Sequence, residues 1–283
     1  MKDLISKSPK ENKTRLARKL GISRTMLYYR YEQPLIDEGI KAEILKVLDH
    51  HPAYGHKRIA MELNLNKKRI LRAMKKFGIK PYKRRVKKPR KIEDEKKPSS
   101  IFLNQIENIC PIRPNIIWVG DFTYIPFRGK FLYLATVMDL FTREIIGFNI
   151  STCHNKELVV GAFMDAMKNT KHKPIYFHCD QGSEYDSKEF IELLQLHKVI
   201  ISMSRKASPW ENAFQESFYS QFKVELGYQE RFNNEAELIE NIYQTIYYYN
   251  HDRIHTSLKT SPVKFRLIHD AGAIEYLYNK RGT

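Results

Sequence analysis

The sequence predicts an α/β fold in which a mixed five-stranded sheet with helices forms the main core, preceded by small all-α units. Three observations predict it. Short β-branched or aromatic runs separated by turn residues occupy 117–150, segments of helical and strand period alternate from 155 onward, and the first hundred residues join helical periodicity to a large basic excess. A period near 3.6 marks an amphipathic helix, and a period of 2 or a short apolar run marks a strand.

The runs IWVGDFTYI (117–125), FLYLATVMD (131–139) and EIIGFNI (144–150), with Arg128-Gly129 as one turn, predict a three-strand antiparallel meander. NKELVVGAFMDAMKNT then predicts a helix, PIYFHCD a buried strand, SKEFIELLQLHK a helix, VIISMS a strand and ENAFQESFYSQFKVEL a helix. The order is β-β-β-α-β-α-β-α. Parallel strands joined by helical crossovers need cover on both faces, and sites in such sheets open beyond the carboxyl ends of the strands.

Ahead of this core, KTRLARKLGISRTMLYYR sets Leu16, Leu20 and Ile22 around a break at Gly21, with Ser23 as the N-cap of a second helix. HPAYGHKRIAMELNLNKKRILRAMKKFGI gives two further amphipathic stretches, with Ile59, Leu63, Ile70, Leu71, Met74 and Phe77 apolar and Lys57, Arg58, Lys68, Arg69, Arg72 and Lys75 basic. Both patterns resemble helix-turn-helix units, the first over residues 1–35 and the second, with a DNA-binding role, over 36–80. Residues 81–110 read as a basic linker. Its segment PYKRRVKKPRKIEDEKKPSS has too little apolar content to fold alone and suits lying along phosphates, Arg84 and Arg85 included.

The net charge of +17 is unevenly spread. Residues 1–100 carry 29 Lys+Arg against 11 Asp+Glu, a net of +18, and residues 101–283 carry 20 against 21, a net of −1. A basic block fused to a near-neutral block points to a nucleic-acid-binding module tethered to something else, with a merely soluble basic surface as the plain alternative. Cys110, Cys153 and Cys179 show neither metal-ligand spacing nor an even count, so a reducing cytoplasm is expected. No apolar run approaches the ~18 residues that span a bilayer, so no membrane partner is expected.

Three acids stand out by position. Asp121 lies within the first strand among apolar and aromatic neighbours, Asp180 closes the fourth strand in HCDQGSEY, and Glu216 lies on the last core helix. The predicted topology brings the first and fourth strands side by side. At about 100° per residue, Phe214, Phe218 and Phe222 form one apolar stripe of that helix, and Glu216, Ser220 and Lys223 fall opposite. An ordinary solvated face gives the same angles. Clustered carboxylates without His or Cys partners suit Mg²⁺ or Mn²⁺, and two such ions about 4 Å apart serve phosphodiester chemistry.

The blocks WVGDFTYI, LYLATVMDLFTREIIGF, FHCDQGSEY, SMSRKASPWENAFQESFYSQFKVE and YYYNHDRIHTSLKTSPVKF resemble, in order, those of the OrfB transposases of bacterial insertion-sequence family three. The resemblance covers nearly all of 38–266, including YGHKRIAMEL. It implies a ribonuclease-H-like, retroviral-integrase-type catalytic core over 111–250, a C-terminal helical tail over 251–283, and an Asp, Asp, Glu triad. Here the triad is Asp121, Asp180 and Glu216, with thirty-five residues between the last two. Lys223, seven positions after the glutamate, is in the family associated with binding the transposon end. Ala207 stands where the family commonly has Gly, Glu211 where it has Asp, and Cys179 where it has Ser. None of these removes a metal ligand.

The resemblance implies a DNA transposase that binds element ends and target, holds two Mg²⁺ or Mn²⁺ ions per active site, and works as a homo-oligomer on paired ends in the bacterial cytoplasm, at the nucleoid. It also implies an upstream OrfA product as fusion or partner. The candidate DNA contacts are Lys223, Arg24, Lys57, Arg58, Lys68, Arg69, Arg84, Arg85, Arg205, Lys206 and Arg253. Arg253 and His255 suit either a DNA contact or a helix cap, and His178 either strand packing or support of the site. Asp139 reads as structural. His50, His51 and His56 lack a matching cysteine pair, so zinc is not expected. A catalytically silent DNA-binding regulator is the alternative function. A nuclease on RNA–DNA hybrids is disfavoured, because A-form duplexes do not admit a helix in the major groove.

Overall fold

A computed structural model of the chain describes residues 13–19, 21, 23–25, 33–83, 102–205 and 209–270. In chain order these form α1 (Lys13–Lys19), α2 (Gln33–His50), α3 (His56–Glu62), α4 (Lys67–Lys76), β1 (Ile117–Phe127), β2 (Lys130–Asp139), β3 (Ile145–Ser151), α5 (Lys156–Thr170), β4 (Tyr176–Cys179), α6 (Lys188–Leu196), β5 (Ile200–Met203), α7 (Ala213–Leu226) and α8 (Glu235–His251). A last helix, α9, covers 262–270.

The predicted strand and helix order of the core is observed. The sheet runs β3-β2-β1-β4-β5, with the meander antiparallel and β1/β4 and β4/β5 parallel. Both faces are covered. On one, Trp118, Val137 and Phe177 of the sheet pack with Phe163 of α5 and Phe190 of α6; on the other, Ile125, Leu132, Leu134 and Met138 pack with Phe218 and Phe222 of α7 and Ile242 of α8. The alternation of β2 residues between the two clusters is the period of 2 expected for a strand buried on both sides. The outer edge of β3 is closed by side chains: Asn250 bonds both the N–H and the C=O of Ile145, Asp165 accepts from Phe148 N, and Asn169 donates to Ile146 O. Capping of this kind blocks edge-to-edge pairing.

The helical unit corrects one boundary. α2 runs through residue 35, where the first module was expected to end, because Pro34 suits a first helical turn and starts the helix early. α2, α3 and α4 enclose Ile40, Ile44, Tyr54, Ile59, Ile70 and Met74, and the Asn66 side chain caps α4 by accepting from Lys68 N at 2.9 Å. Asp37 on α2 pairs with Arg72 and Lys76 on α4, so part of the basic face serves the unit itself. The unit docks on the end of α8 and the turn beyond it. His51 Nδ1 lies 2.8 Å from Tyr248 OH, Ile254 N donates to Tyr54 OH at 2.7 Å, and Arg58 Nε donates to Ile254 O at 2.9 Å. The expected linker also ends sooner than 110. Residues 103–105 lie against β5, with Met203 N donating to Leu103 O and Gln105 N to Ser202 Oγ.

Gly147 lies close against the backbone of α5. A Cβ there would stand 2.3 Å from Ala166 N and 2.5 Å from Ala162 O, both backbone atoms that cannot swing aside. Gly147→Ala should therefore push α5 off the sheet and cost at least about 2 kcal/mol, lowering the thermal midpoint by roughly 4–8 °C. Circular dichroism melting checks this, and a wild-type midpoint would refute the packing account.

Candidate active site

β4 pairs with β1 from Ile117↔Tyr176 to Val119↔His178. Asp121 and Asp180 each lie two residues past that last pair, so parity sends both side chains to the face covered by α7. β4 ends at Cys179, and the turn that follows frees Asp180 to line the mouth of the sheet. Asp121 Oδ1 accepts from Phe122 N at 2.8 Å, and Asp180 Oδ1 accepts from Gly182 N at 3.0 Å.

Burial first, then the neighbouring Asp180 charge, pushes the Asp121 carboxyl well above the usual carboxylate range. Glu216 adds a smaller push, while the Phe122 N–H and the Lys223 cation pull it back. Burial also raises the Asp180 carboxyl, with Gly182 N–H opposing and the Glu184 charge adding. Desolvated like charges held together are the pattern expected of a functional site.

α7 is stitched over this pair by two polar residues. Gln215, fully buried, donates through Nε2 to Val119 O at 2.6 Å and Thr136 O at 3.3 Å. Tyr219 OH donates to Asp121 O at 2.7 Å and also pairs with Thr136 Oγ1. These bonds set Glu216, exposed on the same helix, within electrostatic reach of Asp121. The buried stripe is accordingly Gln215, Phe218, Tyr219, Phe222 and Leu226. That corrects the stripe expected from the sequence: Phe214 is 44% exposed, beneath the Arg143 guanidinium at 3.7 Å from its ring centre.

The donor set fits a hard divalent cation. The two carboxylates are oxygen ligands, burial keeps the Cys179 thiol protonated by pushing it well up, and His178 is engaged elsewhere. Its Nδ1 lies 2.9 Å from Ser202 Oγ, tying β4 to β5, and burial lowers its pKa to about 4. Among the described residues, however, no three His, Cys, Asp or Glu side chains are gathered as a ready cage. Asp121 and Asp180 are brought together, and Glu216 stands off from them on α7.

The remaining candidates separate clearly. Lys223 is half-buried, its ammonium 5.0 Å from the Tyr124 ring centre and near enough to Asp121 to lower its pKa. Arg24, Lys57, Lys68 and Arg69 are exposed. Arg253 is not presented to a ligand: it is 2% exposed and bonds Glu225 and Gln221 on α7, which corrects its assignment as a DNA contact. Arg58 is half-buried and spent on Ile254 O. Arg205 bonds Glu107 and Glu211. Arg84, Arg85 and Lys206 lie outside the described residues. Asp139 accepts from Asn115 N, Phe141 N and Thr142 N, which is the structural role expected of it.

Sequence reasoning missed Gln215, Tyr219 and Glu184. Gln215 and Tyr219 stand four apart on α7, and that spacing on an otherwise apolar face was the available signal. Glu184 sits in the same HCDQGSEY stretch as Asp180, and nothing in its spacing marks it as buried.

A family profile described as integrase core domain matches residues 111–209, and a second with the same description matches 197–262. The transposase for insertion sequence element IS904 from Lactococcus lactis subsp. lactis is 35% identical over 235 residues, 80% of this chain and 91% of the relative. The putative transposase InsK for insertion sequence element IS150 from Escherichia coli K12 is 30% identical over 262 residues, 89% of this chain and 92% of the relative. The solved structure of a simian T-cell lymphotropic virus intasome, in complex with PP2A regulatory subunit B56 gamma, gives a TM-score of 0.50 at 14% identity over 79% of this chain and 74% of that one, a likeness of fold. With the mixed five-stranded sheet, its two helical layers and the Asp121–Asp180 pair at its mouth, these matches establish that the chain belongs to the insertion-sequence transposases that carry an integrase core domain.

Proposed function

We propose that this protein binds the ends of its mobile element, hydrolyses a phosphodiester at each end, and directs the freed 3′-hydroxyl against a phosphodiester of target DNA. The observation that carries the reading is the desolvated Asp121–Asp180 pair, two carboxylates whose mutual repulsion a cation would relieve. Asp121 and Asp180 would hold Mg²⁺ or Mn²⁺, two ions in the full site, with Glu216 closing from α7 once the repulsion is neutralised. When bound, such ions supply Lewis-acid charge to the attacking and leaving oxygens. The chain's own residues do the positioning: Gln215 and Tyr219 fix α7 over β1, and Lys223, beside Tyr124, offers a cation to a backbone phosphate of the element end.

Lys57, Lys68 and Arg69 on the helical unit are proposed to contact DNA phosphates, and the unit's docking on α8 would deliver that DNA toward the core. A linker over 81–110, apart from residues 103–105, which lie against β5, and a helical tail over 251–283 remain part of the proposal. Assembly as a homo-oligomer on paired ends, fusion to or partnership with an upstream OrfA product, and action in the bacterial cytoplasm at the nucleoid complete the proposal. Among the described residues no helix is long and apolar enough to cross a membrane.

Strand-transfer assays with Mg²⁺ on oligonucleotides bearing the element ends test the reaction. Asp180→Asn should reduce product by at least about 10²-fold while DNA binding persists. Undiminished cleavage would remove Asp180 from the site, and DNA binding without cleavage by the wild type would favour a silent regulator.

The same carboxylates cost stability. Their pKa values in the fold are raised, so the native state holds more protons than the unfolded chain just above the ordinary carboxylate range, and stability falls as pH rises through that window. Metal-free Asp121→Asn should therefore melt above wild type at pH 7, by a few degrees for about 1 kcal/mol. The gain should vanish as pH falls and Asp121 is protonated. Differential scanning calorimetry in EDTA at both pH values reads the sign.

Replacing Lys57, Lys68 and Arg69 together by Gln should make the dependence of log affinity on log salt shallower, by about 0.9 for each DNA phosphate that is no longer neutralised. Fluorescence anisotropy on duplex DNA measures it, and an unchanged slope would remove these residues from the DNA interface.

A further inference from the structure

Asp180 has two carboxylate neighbours. One is Asp121; the other is Glu184, in the turn after β4, whose charge raises the Asp180 carboxyl. Gly182 separates Asp180 from Glu184. A Cβ at Gly182 would lie 3.0 Å from Asp180 Oδ1 and 3.2 Å from Glu184 Oε2, so the two oxygens border one small space that the missing side chain leaves open.

Glu184 is 8% exposed, a rare place for an acid unless it is paired. Two groups hold it: His154 Nδ1 lies 2.9 Å from Oε1, and the Ser183 hydroxyl donates to Oε2 at 3.1 Å. His154 comes from the connection between β3 and α5, with its ring against Tyr133 of β2 at 5.0 Å between centres. The latch therefore joins the Asp180 turn to a separate loop across the sheet. Burial alone would raise the Glu184 carboxyl, but the bonds from His154, its own backbone N–H and Ser183 more than offset this and hold it below the usual range. The protein thus maintains an ionised carboxylate beside a site that already suffers from like-charge repulsion. The Glu184 charge adds to the upward push on the Asp180 carboxyl, a cost that a bound cation would relieve.

We propose that Glu184, latched by His154, is a positioning residue of the divalent-ion site, a fixed negative charge outside the ion's direct ligands that tightens cation binding at Asp180. The inference rests on the reading of Asp121 and Asp180 as the ion-holding pair. The latch keeps Glu184 off the ion itself while its charge still lowers the cost of bringing a cation to Asp180. Groups that touch metal ligands commonly change metal affinity by about 10–100-fold.

Mn²⁺-dependent thermal shift of the full chain without DNA tests this independently of activity. Glu184→Gln preserves shape and removes the charge. It should raise the Mn²⁺ concentration for half-maximal shift by about tenfold or more, with a modestly lower EDTA midpoint, because the bonds that hold the carboxyl below the usual range also stabilise the fold at neutral pH. His154→Gln leaves the charge and loosens the latch, so a smaller rise is expected. Wild-type Mn²⁺ affinity in Glu184→Gln would overturn the inference, as would a loss of stability in EDTA at unchanged Mn²⁺ affinity, which is what a merely structural role gives. Should Glu184→Gln fail to fold, His154→Gln carries the test, and wild-type affinity there overturns it. Asp180→Asn separates the two levels. If it abolishes the shift while Glu184→Gln changes nothing, only this inference fails; if it leaves the shift intact, the ion-holding pair itself is misassigned.

Discussion

The parallel pairing of β1 with β4 is the constraint on which the rest of the structure depends. It ends at Val119↔His178, and that register delivers Asp121 and Asp180 side by side on one face. Had β4 slipped by one residue, Asp180 would turn to the opposite face. The order of the sheet enforces the pairing: β2, itself backed by β3, fills one side of β1, and the other side takes the parallel strand that arrives from a crossover helix. α5 is that crossover, and the bare backbone of Gly147 lets it lie close against the sheet.

Two buried carboxylates are a liability that the surrounding layers have to carry. The apolar clusters on both faces supply the stability, and the polar bonds from Gln215 and Tyr219 use backbone carbonyls at the mouth to anchor α7. Buried polar groups of this kind cost free energy unless paired, and here each makes more than one bond. α7 is thereby anchored at the level of Asp121, while Glu216 remains on its exposed side. The repulsion felt by Asp121 and Asp180 is a local conflict between charge and burial. Such conflicts, in an otherwise consistent fold, concentrate where chemistry is done.

The strands, their order and the two aspartates were legible because each rests on a local signal: a period, a turn, or an acid ending an apolar run. α7 was legible as a helix, but its packing stripe was not. Three phenylalanines four apart outweighed Gln215 and Tyr219 by apolarity, and only the carbonyls exposed at the sheet mouth explain why a glutamine is buried instead of Phe214. Arg253 reads as basic in any count of charge, yet its side chain is satisfied by Gln221 and Glu225 some thirty positions earlier. Partners that distant leave no periodic trace. Glu184 was hidden for the same reason, since its latch, His154, comes from another loop. Pro34, by contrast, was a local signal for the start of α2 that a module boundary at residue 35 overrode.

The docking of the helical unit on α8 gives the basic surface a defined position relative to the Asp121–Asp180 pair. A site at the sheet mouth and a cationic surface on a docked arm are together what DNA chemistry needs, and both depend on the pair being able to hold an ion. Anomalous scattering from a crystal grown with Mn²⁺ measures that most directly. The account predicts a peak within about 2.2 Å of carboxylate oxygens from both Asp121 and Asp180. Ordered manganese elsewhere in the chain, with the two carboxylates bare of it, would contradict the account.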